Sequence, residues 1–141
     1  MSDKCIFCKV ADHELPSRVI YENDDFMVLL DQFPSSLGHT LVIPKLHFEN
    51  IFDIPEDTAA NLQRLVVKAA RALSKSLGTS SINILQNNGS LAGQTVFHYH
   101  VHLIPRYDGD SVKFGWSAAK PAAEEFDACA EKVTASFNAS N

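Results

Sequence analysis

Basic residues are scarce in this chain. Twelve lysines and arginines face 17 aspartates and glutamates, giving a formal charge of −5, and no stretch gathers the cations into a patch. That excludes the electrostatic footprint of a duplex nucleic-acid binder while leaving room for a nucleotide-sized substrate. No apolar run approaches the roughly 20 residues of a membrane-spanning helix, and the opening Met-Ser-Asp-Lys-Cys-Ile-Phe-Cys lacks the apolar segment of a secretory signal. A cytoplasmic protein without membrane contact is expected. Cysteine is limited to three residues, an odd set that argues against a disulfide framework. Internal repeats and low-complexity tracts are absent. What remains is ordinary core-forming composition, 45% hydrophobic and 21% charged over 141 residues, and a single domain spanning residues 1–141 is expected.

Against that background one segment stands apart, His98-Tyr99-His100-Val101-His102-Leu103-Ile104. It holds half of the six histidines within five residues. A strand's period of two would send the three imidazoles to one face and Tyr99, Val101 and Leu103 to the other. Histidine, with an unperturbed pKa of about 6.5, is mostly neutral near pH 7 and is both a nucleophile and a metal ligand.

The remaining pattern predicts a mixed architecture. Arg18 to Glu22 and Phe26 to Leu30 read as a hairpin closed by Asn23-Asp24-Asp25, and Thr40 to Ile43 as a third strand ended by Pro44. Leu62, Leu65, Val66, Ala69, Leu73 and Leu77 recur at spacings of three and four, which predicts a long helix over 56–77 capped by Gly78. Ile82 to Leu85 and Thr95 to Ile104 complete five strands. Residues 113–141 form a carboxyl-terminal extension with a helix from Glu124 to Phe137, on which Cys129 reads as a small apolar residue. Short connections within each strand group favour an antiparallel sheet, hence the α+β class.

The histidine row supports two chemistries. Two of its imidazoles with a third group could hold a catalytic zinc with one open position. Alternatively, one imidazole attacks phosphorus while its neighbours stabilise the developing charge. The preceding loop contributes Asn87, Gly89, Gly93, Gln94 and Thr95, a set of side-chain and close-approaching backbone donors suited to phosphate oxygens.

Gly93-Gln94-Thr95-Val96-Phe97-His98-Tyr99-His100-Val101-His102-Leu103-Ile104 resembles the signature of the histidine triad family of nucleotide hydrolases and transferases. The likeness extends through Ile6-Phe7, Asp31, Gly38 to Lys45 and Asn87 to Gly89, covering about the first 107 residues. Past Tyr107 no motif is legible. The resemblance implies a five-stranded antiparallel sheet with the long helix packed on it, and a homodimer joined into one continuous sheet. It implies attack by His100 on the α-phosphate of a purine nucleotide, with His102 on phosphate oxygens and the leaving group. Gln94 and Thr95 would assist catalysis. Asn87 and Gly93 would line the phosphate site, Asp31 would hold the ribose, Ile6, Phe7 and Leu30 the base, and His39 would stand behind the row as an orienting group. Substrates would be nucleoside phosphoramidates or dinucleoside polyphosphates, the latter suggested by Ile104-Pro105-Arg106. A different class of role is a nucleotide-binding regulatory module with incidental hydrolysis.

Cys5-x-x-Cys8 is half of a tetrahedral zinc site. The zinc-containing bacterial branch of the family, which this start resembles, implies His47 and His98 as the other ligands and a structural zinc with no open position. His13 reads as a surface histidine.

Overall fold

The structure is a computed structural model that describes residues 5–140. Its elements follow the order α1 (Ile6–Ala11), β1 (Val19–Glu22), β2 (Phe26–Leu30), β3 (Thr40–Pro44), α2 (Glu56–Leu77), β4 (Ile82–Leu85), β5 (Val101–Pro105) and α3 (Ala123–Ala139), with a 3-10 turn at Ser90–Ala92. The five strands form one sheet in the order β1-β2-β3-β5-β4, with every neighbour antiparallel.

The apolar runs of β2 and β3 are buried on both sides because each face of the sheet carries a helix. Phe26, Val28, Val42, Val101 and Leu103 meet Leu62, Val66 and Leu73 of α2. Met27, Leu29, Leu41 and Ile43 face the other way and pack with Val10 and Phe7 of α1. Directly opposed residues in an antiparallel pair share a face, so the Leu41–His102 register places His102 on the α1 side. Tyr99, Val101 and Leu103 take the α2 side, as alternation requires.

α2 occupies the predicted span, and Gly78 ends it in the left-handed conformation at φ 71°. Asn23 closes the first hairpin by accepting from the Asp25 and Phe26 amides. Gly38 sits at φ 90°, and a Cβ there would run into Leu77 and approach Pro105 Cγ to 3.3 Å. The turn into His39 therefore needs glycine.

Two expectations require correction. The last strand begins at Val101, not Thr95. Upstream of it the Tyr99 amide donates to the Phe48 carbonyl at 2.6 Å, while the Pro44 carbonyl is taken by the His98 ring at 2.8 Å. The ladder thus gives way to a side-chain bond, and residues 95–100 leave the sheet. The second correction concerns α3. It forms where periodicity places it, but every residue along it is exposed, Cys129 included, so its apolar positions join no core among the described residues.

Candidate functional site

The amino-terminal helix brings its cysteines to the histidine row. Cys5 Sγ, Cys8 Sγ, His47 Nδ1 and His98 Nδ1 lie 3.2–3.5 Å from one another in all six pairings. Four points so spaced make a nearly regular tetrahedron whose centre lies about 2 Å from each vertex, close to zinc's bond lengths to sulfur and nitrogen. His98 is fully buried, and its Nε2–H donates to the Pro44 carbonyl, which leaves Nδ1 unprotonated and aimed at the cluster. Burial and the adjacent Cys5 push the Cys8 thiol up to about 11, so the pair resists becoming two thiolates unless a cation joins it. Donor set, spacing and tautomer all fit zinc. Four protein ligands would leave a bound ion no open position.

The other two histidines of the row carry fixed tautomers as well. His100 Nδ1–H donates to the His98 carbonyl at 2.7 Å, so its Nε2 bears the free lone pair. The Ser35 amide donates to His39 Nδ1 at 2.9 Å, which places the His39 proton on Nε2. That Nε2–H in turn donates to His102 Nδ1 at 2.9 Å, leaving His102 with its proton on Nε2. One backbone carbonyl and one backbone amide thereby leave His100 Nε2 with a free lone pair and its neighbour His102 with a proton on Nε2. Their rings lie 4.8 Å apart between centroids. Burial holds all three below the ordinary histidine value, His102 at about 4, so these imidazoles are neutral near pH 7.

His39, His100 and His102 open on a cavity of about 490 Å³, with Asn87, Gly93 and Thr95 among its lining. Gly93 turns at φ 91°, a conformation that favours glycine, and lies beside the Asn87 amide, which a Cβ there would meet at 3.6 Å. Other expected residues lie elsewhere. Phe7 stacks edge-on against His100 at 5.0 Å, behind the row. Asp31 accepts the Phe33 amide through one oxygen and stands 3.5 Å from His39 Nε2 through the other. Ile6 is half exposed, and Leu30 ends β2; neither they nor Asp31 line this cavity.

Gln94 is the clearest departure. Its side-chain oxygen accepts the Gly89 amide, and its nitrogen donates to the Glu49 and Val96 carbonyls. With its amide so engaged at 4% exposure, the side chain staples the loop and does not present a donor to the cavity.

Sequence reasoning missed one wall altogether. Ser111, Val112, Lys113 and Phe114, from the stretch without a motif, line the cavity together with His39, His100 and His102. Arg106 and Asp110 were the available signal, a charged pair four apart astride Gly109. His13, expected at the surface, is exposed and pairs with Glu22 at 2.8 Å. Among the described residues no helix is long and apolar enough to cross a membrane.

Comparison with known proteins places this arrangement. An uncharacterized HIT-like protein of Methanocaldococcus jannaschii is 47% identical over 113 residues, covering 79% of this chain and 87% of that one. The adenosine 5'-monophosphoramidase of Schizosaccharomyces pombe is 34% identical over 131 residues, covering 92% and 96%. The crystal structure of a zinc-bound histidine triad family protein from Mycobacterium smegmatis superposes with a TM-score of 0.75 at 35% identity, covering 100% of both chains. The HIT domain model matches residues 12–109, a span that holds the whole histidine row and stops short of the Lys113 wall. The chain belongs to the HIT domain family.

Proposed function

We propose that the protein is a nucleotide hydrolase that cleaves at the α-phosphate of nucleoside phosphoramidates or dinucleoside polyphosphates through a nucleotidyl-His100 intermediate. The observation that carries this reading is the pair of tautomers, a lone pair on His100 Nε2 beside a proton on His102 Nε2. His100 Nε2 attacks phosphorus, an N–P bond forms, and the bond to the leaving group breaks with its electron pair departing on that group. His102 Nε2–H donates to the departing atom or a phosphate oxygen. The His98 carbonyl steadies the imidazolium through Nδ1–H. Water then attacks phosphorus and gives up a proton to solvent, the N–P pair returns to His100, and a nucleoside monophosphate is released. Two easier displacements replace one hard one.

Thr95, Asn87 and Gly93 serve the phosphate in this reading, with Gln94 contributing through the shape of its loop. Asp31 would serve the ribose, and Ile6, Phe7 and Leu30 a purine, of a nucleotide that extends beyond the cavity those four do not line. Zinc held by Cys5, Cys8, His47 and His98 would pin α1 to the residue whose carbonyl orients His100. We further infer one domain over the whole length, a cytoplasmic location, and a homodimer that extends the sheet. The phosphoramidase name of the fission-yeast relative supports the substrate class.

The test is release of adenosine monophosphate from adenosine phosphoramidate and from diadenosine tetraphosphate by the unmodified protein and by folded His100→Ala. Loss of at least about a thousandfold, equivalent to roughly 4 kcal/mol of barrier, is expected in the variant. Preserved turnover refutes the mechanism.

A further inference from the structure

We infer that Lys113, held in place by an Arg106–Asp110 clamp, is the specificity residue for anionic leaving groups, and that it favours substrates whose leaving group carries phosphates over those that release a neutral amine. The inference rests on the hydrolase reading above.

The clamp begins where β5 ends. Arg106 Nε and Nη2 donate to the two Asp110 oxygens at 2.9 Å each, a bidentate pair. Nη1 reaches Asn83 on the edge strand β4 at 3.0 Å, and Nη2 also holds the Val112 carbonyl at 3.0 Å. Asp110 meanwhile accepts the Tyr107 and Val112 amides at 2.8 and 3.2 Å, closing a turn through Gly109 at φ 76°. The guanidinium carbon lies 5.9 Å from the centre of the Phe114 ring. One arginine thus ties the chain on both sides of residue 113 to the sheet. The strap is fixed by its own hydrogen bonds before any ligand arrives.

Fixing the strap puts Lys113 in the wall of the cavity that His100 and His102 open on. The lysine is exposed and pairs with no carboxylate among the described residues. Among the described residues no aspartate or glutamate lines the cavity, and Lys113 is the one lysine or arginine in its wall. The chain as a whole is anionic at −5, which repels a polyphosphate from most of the surface. A cation in the cavity wall reverses that locally. An ammonia or amine leaving group offers it no charge to hold, whereas a nucleoside polyphosphate offers several, and the attraction weakens as salt screens it.

The test compares kcat/KM for diadenosine tetraphosphate with kcat/KM for adenosine phosphoramidate in the full-length protein, Lys113→Gln, Lys113→Arg, Lys113→Glu and Asp110→Asn. The quotient of the two constants is expected to fall at least about tenfold in Lys113→Gln and further in Lys113→Glu, and to stay within about threefold in Lys113→Arg. Asp110→Asn, which loosens the strap while keeping the lysine, should lower the same quotient partway. Added salt should depress it in the unmodified protein and have little effect in Lys113→Gln. A quotient within about twofold of the unmodified value in Lys113→Gln overturns the inference and leaves the hydrolase reading intact. So does an unmodified protein that cleaves the phosphoramidate alone. Turnover of neither substrate removes both.

Discussion

Removing the metal should cost this protein much of its stability, and the size follows from where the four ligands sit in the chain. Cys5 and Cys8 lie 42 and 39 positions from His47, and His47 lies 51 from His98, so one ion held by all four would close two long loops. Chain-entropy arguments assign about 4 kcal/mol to closing each loop of that length. Together they rival the roughly 5–15 kcal/mol by which a domain is stable at all. α1 has little else to hold it, since it is six residues long and buries only Val10 and Ala11. Stripping zinc with a strong chelator, or replacing Cys8 by Ser, should lower the melting temperature by at least about 10 °C, even if only one loop's worth is realised. Activity should fall in parallel, because His98 would ligate the metal and its carbonyl accepts from His100 Nδ1. The assay is thermal unfolding by circular dichroism alongside metal content, with Cys129→Ser as control. A verified metal-free protein that melts within about 2 °C of the starting material would refute the reasoning.

Replacing His39 by Phe keeps a ring but removes the proton that fixes His102. Turnover should drop about 10- to 100-fold, or roughly 1.5–3 kcal/mol, as read by steady-state kinetics on a variant shown to fold. Gly38→Ala must place a Cβ at φ 90° against Leu77 and should cost about 1–2 kcal/mol in urea unfolding, whereas Gly78→Ala, at φ 71° with nothing near, should cost about 1. Because burial holds the His100 pKa down, the acid limb of kcat/KM should fall below the ordinary histidine value of about 6.5. His102 titrates at about 4 when folded. The unfolded chain takes up its proton first as pH drops, so stability present above about 6.5 is lost progressively toward 4. A urea midpoint constant over that range would contradict the assignment.

Periodicity carried most of the fold. The spacing of Leu62, Val66 and Leu73 marks the α2 face, and alternation in 98–104 separates the imidazoles from the residues packed on α2 even though the strand starts only at Val101. The shortened strand was not legible, because it depends on the His98 ring taking the Pro44 carbonyl, a contact spanning 54 positions. Gln94 looked like a phosphate donor by type and neighbourhood. Its amide is consumed by carbonyls and an amide that only the folded loop supplies. The Lys113 wall lacked any motif, since its position follows from hydrogen bonding by Arg106 and Asp110 and not from hydrophobic pattern. Exposure of α3 was equally invisible, as an apolar stripe does not state what covers it.

Capture of the covalent intermediate tests the central claim most directly. Protein mixed with diadenosine tetraphosphate or adenosine phosphoramidate is quenched on the millisecond to second scale, then analysed by intact mass and peptide mapping under conditions that spare phosphorus–nitrogen bonds. The account predicts a transient adenylyl group on the peptide bearing His100, lost on exposure to acid and missing from His100→Ala. Hydrolysis by His100→Ala at the rate of the unmodified protein, with no adenylylated peptide at any time, would contradict it.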